Sequence, residues 1–259
     1  MVVDITGLKA AICGGFGGIG QAICKVLLEQ GVLCLAVLDL KEDKDSLEAW
    51  RKSYPTQKIF FNYIDVAEKS VVEESMRAAK EKMGGLDIFM NSSGILNEIN
   101  PELCIQVNLL GTIYTSLTAV NLMGKHKGGN GGIVINVTSV LGLEPSHPIA
   151  VYTASKHGGI GFTRSISHEF HYNKTGLAFI AVCPGLTNTK LVQNPQNAAT
   201  FDYVEGEMAK ILTAKTQEAD ICGENIVKAM RTGKTGSIWI CDLGTLREIE
   251  MPVHWTLQF

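Results

Sequence analysis

The chain has no C-x-x-C pair, no block of basic residues and no long apolar run, and each absence closes off a class of function. Its cysteines, at 13, 24, 34, 104, 183, 222 and 241, are scattered and form no Cys/His ligand cluster, so no metal site is expected. An odd number without a pairing framework fits free thiols in a reducing compartment, and a cytoplasmic location is expected. The formal net charge is -3 and no positive face is concentrated, which argues against nucleic acid as a partner. No stretch approaches the roughly 20 apolar residues of a membrane span. The first residues, MVVDITGLKAAICGG, run straight into a strand and a glycine turn without a signal-peptide pattern. The N-x-S/T matches at Asn91, Asn136 and Asn173 are therefore read as chance. Internal repeats and linkers are lacking too.

What is present is an alternation. Apolar runs such as LKAAIC, LCLAVLDL, LDIFMN and LAFIAVCPG are separated by stretches rich in helix formers. Near-continuous apolar strands between helices indicate a parallel sheet buried on both faces. Seven strands are expected, with long helices near 101–124 and 151–172. At 259 residues and 46% hydrophobic composition, the chain suits one α/β domain spanning 1–259. The irregular stretch LTNTKLVQNPQNAAT opens a lid candidate over about 186–212.

Between the first strand and the first helix lies CGGFGGIG, Cys13 to Gly20. Glycines there permit a tight turn and let backbone N–H groups approach a pyrophosphate. Gly15, Gly17 and Gly20 also match G-x-G-x-x-G in its strand–turn–helix setting. The next strand ends at Asp39, 19 residues beyond Gly20. A carboxylate at that place accepts both adenosine ribose hydroxyls and repels a 2′-phosphate, which favours NAD over NADP. Lys41 nearby softens that discrimination. The expected fold is a Rossmann type: a seven-stranded, mostly parallel, doubly wound sheet with helices on both faces. Residues 1–95 would mainly bind the dinucleotide, and 96–259 would carry the catalytic residues, the lid and a C-terminal tail.

SVLGLEPSHPIAVYTASKHGG, Ser139 to Gly159, holds the second constellation. Tyr152 and Lys156 are at i and i+4 and share a helix face. Ser139 follows a strand, at the carboxyl end where open α/β sheets bind ligands. Removing a proton from an alcohol while hydride leaves its carbon needs a base. A free phenol has a pKa of about 10, and a neighbouring ammonium favours the phenolate. Ser139 can hold the substrate oxygen and stabilise charge on it.

With these residues in place the chain resembles the short-chain dehydrogenases/reductases over nearly all its length. The resemblance rests on Cys13-Gly14, Gly18, Ile19 and Gly20 in the turn, on the NSSG of Asn91 to Gly94, and on Tyr152 and Lys156 with Ser139 thirteen residues before the tyrosine. It also rests on Pro184-Gly185. It implies catalysis by Asn108, Ser139, Tyr152 and Lys156, with Asn108 in a water-linked proton relay. It implies cofactor contacts from Gly14, Gly15, Gly18, Ile19, Gly20, Asp39, Asn91, Ser92, Gly94, Tyr152 and Lys156. Asp65, with Val66 after it, would touch adenine, and Thr187 after Pro184-Gly185 would hold the nicotinamide amide. Two departures stand out. Cys13 replaces the family's common Thr, and Ser92-Ser93 replaces Asn-Ala, which puts the stability of the turn in question.

Within the family, GSIWICDLGTLREIEMPVHW and CGENIVKAM resemble the insect-type alcohol dehydrogenases. Other segments are shared with insect fat-body relatives and with NAD-dependent hydroxyprostaglandin dehydrogenases. The implied substrate is an apolar alcohol and its ketone or aldehyde. Short secondary alcohols, isoprenoids, retinoids, steroids and hydroxy fatty acids stay open, as does a non-catalytic storage role. Ser139, Leu141 and Leu186 are the expected substrate contacts. Leu96, Leu143, His147 and Val192 are further pocket candidates, and Lys190 is a candidate for a substrate carboxylate. Trp255 and Phe259 are expected to dock. A homodimer through the two long helices is implied by the resemblance, with a tetramer as the alternative.

Overall fold

The computed structural model describes residues 2–193, 199–253 and 255. Its strands are β1 (Lys9–Cys13), β2 (Cys34–Asp39), β3 (Lys58–Tyr63), β4 (Ile88–Asn91), β5 (Gly132–Val137), β6 (Leu177–Pro184), β7 (Thr187–Asn188), β8 (Gln217–Glu218), β9 (Ile238–Asp242) and β10 (Thr245–Ile249). The helices are α1 (Gly18–Glu29), α2 (Lys44–Ser53), α3 (Lys69–Met83), α4 (Pro101–Ile105), α5 (Gly111–Met123), α6 (Ala150–Ile166), α7 (Glu169–Thr175), α8 (Lys190–Gln193), α9 (Glu205–Leu212) and α10 (Ala219–Thr232).

Alternation along each strand builds two hydrophobic layers. In β1, Ala10 and Ile12 enter one layer and Ala11 and Cys13 the other. In β2, Leu35 and Val37 join the first, while Cys34, Ala36 and Leu38 join the second. Successive side chains of a strand point to opposite faces, so a sheet covered on both sides needs apolar residues at every position. That requirement is what the unbroken apolar runs record. Ile23 and Leu27 of α1 and Ile226 and Met230 of α10 close the first layer. Val72 and Met76 of α3 and Ala119 and Met123 of α5 close the second.

The main sheet has eight strands in the order β10-β9-β6-β5-β4-β1-β2-β3. All neighbours are parallel except β10, which runs antiparallel to β9. The seven expected strands are all present. β10 is the addition: its sequence, TLREI, is too polar to read as a strand because it forms an edge with largely exposed side chains. The expected helix over 151–172 ends at Ile166, and a short connection leads to α7. The expected helix near 101–124 is α4 and α5 joined through a π-helical turn, Gln106–Leu110. This run, Pro101–Met123, is long and apolar enough to cross a bilayer, contrary to the sequence expectation. Here Thr115, Ser116, Ala119 and Met123 bury one of its faces against protein. Trp255 is 76% exposed rather than docked, and Phe259 lies outside the described residues.

From β1 the chain winds through β2 and β3 to one side, and β4, β5 and β6 lie on the other. The order therefore reverses between β1 and β4, whose last paired residues are Cys13 and Asn91. Ligands of open α/β sheets bind outside the carboxyl ends of the strands at such a reversal.

Candidate active site

The glycine turn and the NSSG segment meet at this reversal. Ser92 N donates to Cys13 O at 2.9 Å. Gly14 has φ +72°, and a Cβ on it would stand 2.8 Å from Ser93 N. A Cβ on Gly20 would stand 2.0 Å from Gly14 O, so only glycine lets the helix start this close to the strand. The N-cap of α1 is Gly17, which has no side chain to cap the first N–H groups, and no acidic residue lies in the first turn. Gly17, Gly18, Ile19 and Gly20 line a cavity of 680 Å³. Uncapped amides at a helix N-terminus make an anion site.

Asp39 ends β2 beside this turn. Its carboxylate accepts from Phe16 N at 2.9 Å and from Leu40 N at 2.8 Å, which fixes it at the rim of the glycine loop.

The four catalytic candidates come from three elements. Ser139 caps a short turn after β5, and its Oγ accepts from Leu141 N at 3.1 Å. Tyr152 and Lys156 lie one turn apart on α6, with Lys156 Nζ 5.4 Å from the centre of the tyrosine ring. Asn108 sits in the π-helical turn, a local widening that often marks a functional site. Its Nδ2 donates to Ile95 O at 2.9 Å and to Ser155 Oγ at 3.1 Å, and its Oδ1 accepts from Ile95 N at 2.8 Å. A Cβ on Gly94 would stand 3.3 Å from Lys156 Nζ and 3.4 Å from Asn108 Oδ1, so the NSSG segment, the lysine and the asparagine converge.

Ser139, Tyr152 and Lys156 are all buried and line the same cavity. Burial pushes the Tyr152 phenol up to about 12; the Ser139 hydroxyl beside it pulls the other way by less. Burial pushes the Lys156 ammonium down to about 8, opposed by the Cys104 and Cys183 thiols. An ammonium alone is expected to lower the phenol's pKa. In the free chain desolvation disfavours both charged forms and is the largest cause of each shift.

Gly185, Leu186 and Thr187 follow β6 along the cavity, with Pro184 at its end. Thr187 Oγ1 donates to Gly185 O at 2.9 Å and accepts from Gln217 Nε2 at 3.2 Å. Ser92 and Gly94 line the cavity as well. Asn91 turns away: its amide donates to Thr115 Oγ1 at 2.5 Å, tying β4 to α5. Asp65 accepts from Ala67 N at 3.0 Å, and Val66 packs against Gly111 of α5. Neither reaches the cavity wall, and Gly14 and Gly15 lie behind it. Among the pocket candidates, Leu96, Leu141, Leu186 and Val192 line the cavity. Leu143 does not; it packs beside Ile160 and Cys183 in a separate cluster. His147 is exposed and also outside the wall, whereas Lys190 reaches the rim.

The family description "short chain dehydrogenase" matches residues 9–199, which carry the glycine turn, NSSG, Ser139, Tyr152 and Lys156. This chain belongs to the short-chain dehydrogenase family. It is similar to alcohol dehydrogenase 1 of Ceratitis capitata, at 36% identity over 98% of both chains. It is similar to fat body protein 2 of Drosophila melanogaster, at 33% identity over 98% of this chain and 99% of that one. Among solved structures, levodione reductase superposes with a TM-score of 0.79 at 23% identity, covering 93% of this chain and 98% of that one. A short-chain dehydrogenase/reductase from Burkholderia phymatum, in complex with NAD, gives 0.74 at 16% identity over 92% and 90%.

Within this short-chain dehydrogenase the two departures from the family pattern are partners. Ser93 Oγ donates to Cys13 Sγ at 3.2 Å, so the serine supplies the turn with a bond across to the cysteine that replaced the threonine. The uncapped α1 terminus fits a dinucleotide phosphate. The buried Lys156 ammonium, with no carboxylate beside it among the described residues, fits a hydroxyl-rich ribose. Residues that sequence reasoning missed include Ile149, Met208 and Ile211, which add an apolar wall from α9 and the start of α6. Glu98 was missed too: it is 4% exposed and bonded to the N-terminus of α6. Its one trace in the sequence is indirect. The residue at the N-cap of α6 is Ile149, which cannot cap a helix, so a cap has to come from elsewhere.

Proposed function

We propose that this short-chain dehydrogenase interconverts an apolar alcohol and its ketone or aldehyde, with NAD as cofactor. The observation that carries the reading is one cavity lined both by Ser139, Tyr152 and Lys156 and by the uncapped α1 terminus. Asp39 supports NAD, since a fixed carboxylate at the loop rim opposes a 2′-phosphate.

When bound, the nicotinamide dinucleotide supplies the hydride acceptor or donor. Ser139 and Tyr152 hold the alcohol oxygen. Tyr152 takes the hydroxyl proton during oxidation and returns it during reduction. Lys156 binds the ribose and favours the phenolate by its charge. The Asn108 side chain is committed to Ile95 and Ser155. Its part in a proton relay therefore falls to its main-chain carbonyl, which accepts from Thr112 Oγ1 and has a second lone pair for water. Leu96, Leu141, Ile149, Met208 and Ile211 exclude water and select apolar substrates. The proposed lid over this wall is the stretch 186–212, of which 194–198 lie outside the described residues.

We place the enzyme in the cytoplasm, on the strength of its free, buried thiols. We also propose a homodimer through α5 and α6; Leu117, half-exposed on α5, is an apolar contact suited to it. The test of function is absorbance at 340 nm, with NAD and NADP each offered a graded series of alcohols. Turnover of apolar alcohols with NAD is expected. No turnover with any alcohol, despite NADH binding, would instead support a non-catalytic ligand carrier.

A further inference from the structure

The helix that carries Tyr152 does not cap itself. The first three N–H groups of α6 find their partners far away in sequence. Ala150 N donates to Thr200 Oγ1 at 3.0 Å. Val151 N donates to Glu98 Oε2 at 2.9 Å, and Tyr152 N donates to Glu98 Oε1 at 2.7 Å. Thr200 Oγ1 lies 2.7 Å from Glu98 Oε2 and 3.0 Å from Pro148 O, so its hydroxyl proton is shared between them. Among the described residues no cation pairs with Glu98. A buried carboxylate without a cation is costly unless donors surround it. Here the positive end of the α6 dipole and three donors hold the charge.

Glu98 also belongs to the loop that leads out of the NSSG segment. That loop is pinned at Ile95 by Asn108, through the main-chain N–H and carbonyl together. It is pinned again at Glu98 by α6. Leu96, part of the cavity wall, lies between the two anchors. One carboxylate thereby fixes the main chain of Tyr152, the stretch bearing Leu96, and the side chain of Thr200.

We infer that Glu98 is a positioning residue for the reaction: it sets where the main chain of Tyr152 stands relative to Ser139 and Leu96, with Thr200 as its second partner. This rests on the function proposed above. A misplacement of about 1 Å at a reacting group costs on the order of 100-fold in rate. Loss of Glu98 therefore lowers kcat while the glycine turn and Asp39, which lie on other elements, keep their hold on the dinucleotide.

The experiment compares Glu98→Gln, Glu98→Ala, Thr200→Val and Thr200→Ser with the wild type. Glu98→Gln sets an amide N–H₂ against one backbone N–H, and Glu98→Ala leaves both unpartnered. Both are expected to lower kcat roughly 10–100-fold while the Kd for NADH, read by fluorescence, stays unchanged. Thr200→Val is expected to lower kcat roughly fivefold, and Thr200→Ser, which keeps the hydroxyl, to recover most of it. A second readout does not need turnover. In protein labelled with ¹³C at tyrosine Cζ, the Tyr152 resonance, assigned by its loss in Tyr152→Phe, shifts in the Glu98 variants and in Thr200→Val while the other tyrosines stay in place. An inactive wild type would sink the proposed function and leave this resonance to decide the positioning role. If Glu98→Ala does not fold, Thr200→Val against Thr200→Ser decides it. Rates within about twofold of the wild type, with an unmoved Tyr152 resonance, would reduce Glu98 to a structural cap and overturn the inference.

Discussion

Lys156 Nζ lies 5.4 Å from the centre of the Tyr152 ring, and both side chains are buried in one wall of the cavity. Burial acts on them in opposite directions, raising the phenol and lowering the ammonium. The pair in the free chain is therefore a neutral phenol beside an easily discharged lysine. A cationic nicotinamide changes that balance, because a positive charge near the phenol favours phenolate.

The first prediction follows for pH. kcat/KM for NAD reports the free enzyme, and kcat/KM for the alcohol reports the complex with NAD. Alcohol oxidation needs phenolate, so both rise with pH. The rise in the alcohol profile is expected at distinctly lower pH, since the free phenol is held up to about 12. Steady-state profiles in the two substrates measure this directly. Coincident limbs would mean that cofactor binding leaves Tyr152 untouched.

The second prediction is Tyr152→Phe. It removes the acid–base group and retains the ring that packs with Ile149 and Met208. General acid–base catalysis contributes roughly 10²–10⁴-fold, so kcat should fall by about that much or more. NADH affinity should persist, because the glycine turn, Asp39 and Lys156 remain. A variant retaining most of the wild-type rate would remove Tyr152 from the mechanism.

The third prediction separates function from stability. Lys156 has its ammonium lowered from 10.5 to about 8 by burial. A lowered folded pKa means that the unfolded chain binds more protons between those values, so the wild type gains stability as pH rises from about 8 to 10.5. At pH 7 the buried charge costs on the order of 3 kcal/mol. Lys156→Met should raise Tm at pH 7 while abolishing turnover, and its advantage should shrink across that alkaline window. Thermal melts at pH 7 and pH 10 test it. An unchanged Tm at both would show that the ammonium is well solvated.

The fourth prediction concerns cofactor choice. Asp39 is anchored by Phe16 N and Leu40 N, so it cannot swing aside for a 2′-phosphate. Asp39→Asn removes the charge and keeps one acceptor for the loop. Like charges brought together cost several kcal/mol, so the ratio of kcat/KM for NAD over NADP should fall by roughly 10–100-fold. A ratio that does not move would assign cofactor selection to another group.

The pattern of what could be read from the sequence has physical causes. The glycine turn, Asp39, Ser139, Tyr152 and Lys156 depend on short-range spacing along strand ends and one helix, and spacing is visible in one dimension. Asn91 is more ambiguous: its place at the strand end is legible, but the direction of its amide, toward Thr115, depends on a helix 24 residues later. Leu143 and His147 stand close to Ser139 in sequence. A tight turn at Val140–Gly142 then sends them away from the cavity. Met208 and Ile211 reach the site only through tertiary packing and no local pattern marks them, and Glu98 is marked only by the missing cap at Ile149.

The last prediction comes from β10, whose polar sequence hides it. It is joined to β9 by a two-residue turn, Leu243-Gly244, between the paired residues Asp242 and Thr245. Both turn residues have positive φ, +46° for Leu243 and +79° for Gly244. Two positive φ values in a two-residue hairpin loop call for a turn that favours Asn-Gly, because its twist matches that of the strands. A leucine in the left-handed region is strained by its Cβ, on the order of 1–2 kcal/mol. Leu243 is also half-exposed, so it returns little by burial. Leu243→Asn relieves the strain, keeps Gly244 and removes an exposed apolar group. It should raise stability by roughly 0.5–1 kcal/mol, read as a higher denaturant midpoint with an unchanged m-value. Activity should stay constant, since neither turn residue lines the cavity. A lower midpoint would mean that the leucine is held by a contact outside the single chain, and the same variant run on a sizing column would show whether that contact is a second copy.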